Sequence, residues 1–211
     1  MKVVIKLLVF FLIVFIIVCS MVFAFVYATL GNTEQPYVEL IEKYAKENDL
    51  EPTLVAGIIR TESNFKPEAV SNADAVGIMQ ILPETAKWVA EQKDIEFDET
   101  KLVDAEYNIQ MGTYYLKYLF DHFGSMDYAI IAYNGGLGNL QKWIDGGIIT
   151  NDQESYDNIP FSETKNYIER VKDYKELYDV LWEPVVKDTQ SSQFVRTYNT
   201  IKEIIKSYFN N

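Results

Sequence analysis

Residues 61–86, TESNFKPEAVSNADAVGIMQILPETA, change character twice, and those changes set the fold class. Up to Glu62 the chain has a helical face: Leu54, Val55, Ile58 and Ile59 recur at intervals of three and four, behind a Pro52 suited to a first helical turn. From Phe65 to Gly77 the residues are rich in Pro, Ser, Asn, Asp and Gly, the composition of a loop. Pro83-Glu84 then opens another helix, carrying Ala86, Val89 and Ala90. Glu62 thus stands where a helix runs out into a long connection.

The helical period continues on both sides. Upstream, Tyr37, Leu40, Ile41, Tyr44 and Ala45 form one stripe. Downstream, a helix from about Asp104 to Phe123 presents Ile109, Leu116, Leu119, Phe120 and Phe123, and Gly124 stops it. A shorter helix through Ala129 to Tyr133 meets Asn134-Gly135-Gly136-Leu137-Gly138, and the next carries Leu140, Trp143 and Ile144 until Asp145-Gly146-Gly147. Ser162-Glu163 begins a helix with Tyr167, Ile168, Val171, Tyr174, Leu177 and Tyr178, and a last amphipathic stretch runs from Phe194 to Phe209. No strand-period segment competes and no repeat is present, so the class is all-α.

At the other end, Leu7 to Leu30 is a run of 24 residues without a charge, preceded by Lys2 and Lys6. A helix of about 20 apolar residues spans a bilayer core, and basic flanks stay on the cytoplasmic side. The expectation is a transmembrane helix with the remainder outside the cell membrane. Val26-Tyr27-Ala28 leaves a cleaved signal, and hence a secreted product, as the alternative. Cys19 reads as a small buried hydrophobe, since Val18 precedes it where a lipid-attachment site favours a small residue. Three segments are expected: 1–31 as stub and anchor, 32–181 as the main domain, and 182–211 as a helical extension.

Composition narrows the chemistry. An apolar fraction of 48% excludes a disordered chain, and 19 basic against 31 acidic residues, net −12, exclude an electrostatic grip on nucleic acid. One cysteine and one histidine leave neither a disulfide framework nor a Cys/His zinc cluster, and little basis for a Ser-His or Cys-His pair. Catalysis would rest on carboxylates and hydroxyls, without a metal or organic cofactor.

Three blocks then carry a specific pattern: Glu62 to Ala69 with Ser71 and Gly77 to Ala86; Ala132-Tyr133-Asn134-Gly135-Gly136-Leu137-Gly138 with Trp143; and Ile159-Pro160-Phe161-Ser162-Glu163-Thr164 with Tyr167. Together they resemble lytic transglycosylases with a goose-type-lysozyme-like fold, over roughly residues 37–180. The resemblance implies a lysozyme-like helical domain that cuts peptidoglycan strands at the β-1,4 bond between N-acetylmuramic acid and N-acetylglucosamine. It implies closure of the muramyl C6 hydroxyl onto C1, giving 1,6-anhydro ends.

In that scheme Glu62 is the catalytic residue, first acid and then base, its pKa raised by apolar neighbours such as Ile58, Ile59, Phe65 and Met79. The resemblance places Ser71 against the Glu62 carboxyl or the substrate's N-acetyl group, Gln80 and the backbone around Met79 along the sugar with the Met79 side chain partly in the core, and Tyr133 near Glu62 or the developing positive charge. It places Asn134 on an N-acetyl or hydroxyl group, Glu163 beside the Tyr133 region, and Tyr167 on sugar. Read alone, Glu163 is equally an acid serving its own helix N-terminus. Asp74 departs from the family's usual glycine; its Ser-Asn-Ala-Asp setting favours local backbone bonding over a second catalytic carboxylate. Tyr107, Tyr114, Tyr115, Tyr118 and Phe120 follow a helix at packing intervals and read as core or cleft wall, with sugar stacking the alternative, and Trp88 and Trp143 read as packing residues. The alternatives are a hydrolytic muramidase of the same fold and a non-catalytic peptidoglycan-binding scaffold of a wall-spanning assembly machinery.

Overall fold

The computed structural model describes residues 2–29, 35–150, 152–188 and 191–209. The chain divides into two compact units, Tyr37–Asp179 and the paired chain ends, Met1–Pro36 with Val180–Asn211. The regular structure of the described residues is helical, apart from two isolated antiparallel bridges, Val70 to Val76 and Val76 to Ile81, that fold the connection after Glu62 back on itself.

Within the larger unit, α2 (Val38–Glu47) buries Val38, Ile41, Tyr44 and Ala45, the stripe its spacing predicts. α3 (Pro52–Glu62) starts at Pro52 and is buried without a break from Leu54 to Ile59. It is the inner helix of the unit, each large aliphatic side chain contributing about 1.5–3 kcal/mol by leaving water. α4 (Pro83–Gln92) also starts at a proline, and a 3-10 turn, Glu99–Val103, leads into α5 (Ala105–Phe123). Asp104 caps α5 by accepting the Tyr107 N–H at 2.9 Å, and Gly124, at φ +70°, ends it.

α6 (Met126–Gly135) begins three residues before the expected Ala129, because Ser125 supplies a capping hydroxyl. It turns through Gly136 into α7 (Leu137–Asp145), and α8 (Ser162–Leu181) follows a 3-10 turn at Gln153–Asn158. On α8 the inward stripe is Thr164, Tyr167, Ile168 and Val171, all at most 3% exposed.

In the smaller unit α1 (Lys2–Thr29) and α9 (Gln193–Phe209) lie side by side, with the Phe23 and Phe194 rings 5.1 Å apart. The side chains of Val9 to Val18 are exposed on every face of α1. Cys19 is exposed as well, which corrects the expectation of a buried thiol. Among the described residues no helix is long and apolar enough to cross a membrane. Leu30 and the expected boundary at residues 31 and 32 lie outside the described residues, as do the side chains of Val26 to Ala28.

Candidate active site

The site is assembled at the C-terminal end of α3. Ser63 takes the cap position, where its hydroxyl donates to the Ile78 carbonyl at 2.7 Å and accepts the Lys66 N–H at 3.1 Å. Asn64 and Phe65 follow at positive φ, +55° and +61°, which turns the chain sharply away from the helix axis. Glu62, the last residue of α3, is left partly buried with Ile58, Ile59, Phe65 and Met79 all inside the core.

That placement raises the Glu62 pKa from 4.5 to about 7. Loss of water around the charged form is the largest cause; the Tyr167 hydrogen bond and the Arg170 charge pull the other way, and Glu163 adds a smaller upward push. Tyr167 Oη donates to Glu62 Oε1 at 2.6 Å. Burial together with the neighbouring Glu62 charge holds the Tyr167 phenol well above its usual pKa, so it keeps its proton.

The loop opposite is pinned by Asn108 of α5. Its Oδ1 accepts the Met79 N–H at 2.8 Å, and its Nδ2 donates to the carbonyls of Val76 and Leu102, each at 2.9 Å. Gly77 sits at φ +89° directly against it; a Cβ there would lie 2.1 Å from Asn108 Nδ2 and 2.3 Å from the Leu102 carbonyl oxygen. Only glycine fits that approach. Gln80, at φ +49°, spends both its amide hydrogens on the Ala69 and Gly77 carbonyls, each at 2.9 Å.

Tyr133, near the end of α6, donates its hydroxyl to the Met79 carbonyl at 2.9 Å. Burial and the Glu62 charge keep its phenol protonated too. With that hydrogen committed to Met79, its remaining lone pairs can only accept. Asn134 accepts the Thr164 hydroxyl on its Oδ1 at 2.7 Å, which leaves its amide nitrogen with hydrogens to donate.

The residues singled out in the sequence therefore separate. Glu62, Tyr133 and Tyr167 come together, with Glu163 exposed and near enough for its charge to act on Glu62. Tyr167 is a correction: at 2% exposed it has no face for sugar and holds the carboxyl instead. The Met79 side chain lies fully in the core against Gly112 of α5, where a Cβ would come within 2.6 Å of its sulfur, while its backbone N–H goes to Asn108 and its carbonyl accepts the Tyr133 hydroxyl.

Ser71 bonds within its own loop, its Oγ accepting the N–H groups of Ala73 and Ala75 at 3.2 and 3.0 Å. Asp74 is exposed at φ +59°, in the left-handed region that favours glycine. Glu163 makes no hydrogen bond to the Tyr133 region among the described residues. The sequence marks Thr164 only as part of the third block, and Asn108 and Arg170 stand in none of the three blocks. An asparagine between the apolar positions of α5 is the signal that marks Asn108, and the shared helical face of Tyr167 and Arg170 is the one that marks Arg170.

Comparison with known proteins places this geometry. The soluble lytic murein transglycosylase of Salmonella typhimurium is 33% identical over 146 residues, covering 67% of this chain and 23% of that protein. A membrane-bound lytic murein transglycosylase C of Actinobacillus pleuropneumoniae is 34% identical over 165 residues, covering 67% of this chain and 45% of that one. The crystal structure of the 70 kDa soluble lytic transglycosylase of Escherichia coli superimposes with a TM-score of 0.65 at 31% identity, over 70% of this chain and 24% of that one. A Pseudomonas aeruginosa lytic transglycosylase, an inactive glutamate-to-glutamine mutant, gives 0.61 at 28%, over 68% and 24%.

The chain thus spans about a quarter of the soluble relatives and under half of the membrane-bound one. The helical architecture it shares with them is lysozyme-like. With residues 39–155 matching the transglycosylase SLT domain, more than half of its length, the chain belongs to that family.

Proposed function

We propose that residues 32–181 form a peptidoglycan lytic transglycosylase unit, with Glu62 as general acid and then general base. The observation that carries this reading is a partly buried glutamic acid whose pKa is about 7, held by a tyrosine hydroxyl. Such a group is substantially protonated at neutral pH, which a solvent-exposed carboxyl is not.

Tyr167 donates to Oε1, which leaves Oε2 to carry the acidic proton for the glycosidic oxygen. Glu62 transfers that proton to the leaving N-acetylglucosamine O4 as the bond from muramyl C1 breaks. Positive charge then develops at C1 and the ring oxygen. The outward lone pairs of Tyr133 favour that charge or accept the N-acetyl N–H, and the Asn134 amide donates to a carbonyl or hydroxyl of the sugar. Glu62, now a carboxylate, takes the proton from the C6 hydroxyl as O6 bonds to C1. The acid is regenerated and no water is consumed.

One carboxylate suffices because a hydroxyl tethered to the same sugar has an effective concentration of about 10⁵ M or more when well oriented. Asp74, exposed on its own turn, has no part in this scheme. Ser71 and Gln80 hold the loop that carries Ile78 and Met79, and so act on position rather than on the sugar. That a glutamate-to-glutamine mutant of the Pseudomonas aeruginosa relative is inactive supports a glutamate as an essential group in such enzymes. Digestion of purified peptidoglycan by the full chain is expected to release 1,6-anhydro muropeptides, one water lighter in mass spectrometry than hydrolysed ones. Reducing ends in their place would assign the muramidase reaction instead.

The uncharged run Leu7–Leu30 is proposed as a membrane anchor, with Lys2 and Lys6 inside and the catalytic unit outside, next to the wall polymer. Ten consecutive apolar side chains, Val9 to Val18, lie exposed around the whole circumference of α1; hydrocarbon would cover all of these faces at once. The expectation is that the full chain stays with membranes after alkaline extraction. Recovery in the soluble fraction would refute the anchor.

A further inference from the structure

We infer that Tyr115, Tyr118 and Trp88 form an additional glycan subsite, stacking a sugar ring of the strand beyond the two that flank Glu62. The inference rests on the transglycosylase reading above. Sequence spacing favours core or cleft wall for Tyr115 and Tyr118 and packing for Trp88, and on one side two of them do pack: Trp88 and Tyr115 lie against the cluster of Ile81, Ala86, Val89, Leu102 and Met111. Their other side is open, with Tyr118 36% exposed and Trp88 and Tyr115 partly so.

The row is continuous with the catalytic residues. Tyr115 lies 5.7 Å from the Tyr133 ring, and Tyr118 lies 6.4 Å further on with its plane within 18° of Tyr115. Trp88 then closes on Tyr118 at 4.6 Å. This spreads an apolar surface edged with phenol hydroxyls outward from Tyr133, across two helices, α4 and α5.

A pyranose ring has the matching chemistry, a face of C–H groups and a rim of hydroxyls. A polymeric glycan with one bond at Glu62 extends beyond the two sugars that flank it, and the aromatic row that adjoins Tyr133 offers one such extension a surface it can stack on. Apolar area buried against rings gives affinity with little demand for a particular substituent, which suits a strand whose sugars alternate.

The proposal is tested on the full chain with two peptide-free glycan substrates, a tetrasaccharide and strands several times longer. In Trp88→Ala and Tyr118→Leu the ratio of kcat/KM on long strands to that on the tetrasaccharide is expected to fall at least about fivefold, chiefly through KM, as loss of one aromatic contact implies. Independently of turnover, long strands added to Glu62→Gln protein should change tryptophan emission, and the tetrasaccharide should not; Trp88→Phe in that background should abolish the change.

An unaltered ratio, or a change in emission that survives Trp88→Phe, would overturn the subsite. Equal losses on both substrates with a lowered melting temperature would also overturn it, leaving these rings a packing role only. If the wild-type chain yields no anhydro product, the transglycosylase reading fails, while the emission titration still decides whether the rings bind glycan.

Discussion

Glu62→Gln is expected to fold and to lose about 10²–10⁴-fold in the rate of glycan cleavage, the contribution of a positioned general acid. Glutamine keeps the shape and can still accept the Tyr167 hydroxyl, but it has no proton to give. The same substitution should stabilise the protein, in a pH-dependent way. Because the folded-state pKa of Glu62 lies above its ordinary 4.5, at about 7, the native state binds the proton more tightly than the unfolded chain.

Stability from this group is therefore full below about pH 4.5, declines between 4.5 and 7, and is lost above 7. Glutamine is neutral throughout. At pH 8 the variant should be more stable than wild type by ~1–3 kcal/mol, with little difference at pH 4. Wild-type kcat/KM should decline above about pH 7 as the protonated acid is depleted. A near-normal rate in Glu62→Gln would remove the acid role, and a stability difference indifferent to pH would remove the explanation of its pKa by burial.

Asn108→Ala is expected to be among the most destabilising single changes in the larger unit, at about 3–5 kcal/mol. The side chain is 0% exposed and makes three hydrogen bonds, so truncation orphans the Met79 N–H and the carbonyls of Val76 and Leu102 inside the core. Each orphaned group costs about 1–3 kcal/mol. Activity should fall as well, since Met79 supplies the carbonyl that holds Tyr133. Urea unfolding of the variant measures the loss. A change below about 1 kcal/mol would mean that the asparagine is not the pin of this loop.

The helices were legible because their ends are marked. Pro52 and Pro83 open α3 and α4, Asp104 caps α5, and Gly124 closes it at a positive φ. The position of Glu62, between an aliphatic helical face and a turn-rich loop, likewise follows from residue order.

What did not follow was which way the side chains of α8 point. Glu163 and Tyr167 share a face by spacing, yet the buried stripe is Thr164, Tyr167, Ile168 and Val171, so Tyr167 turns inward and Glu163 stays in solvent. Helical period sets which residues are neighbours, and burial decides which neighbour is covered. Tyr167 thus reaches the carboxyl from inside the core, a contact between residues 105 positions apart that no local pattern encodes. How completely the Met79 side chain is covered was hidden for a related reason: it fills the space that Gly112, 33 positions further along, leaves on α5.

The account depends on a carboxyl that desolvation keeps protonated near neutral pH. Titration of the Glu62 side-chain carboxyl by carbon NMR, assigned by the resonance missing from Glu62→Gln, measures this directly. The expected midpoint is about 7, and higher still in Tyr167→Phe, where the hydrogen bond that favours the charged form is gone. A midpoint at the ordinary 4.5 or below would contradict the account.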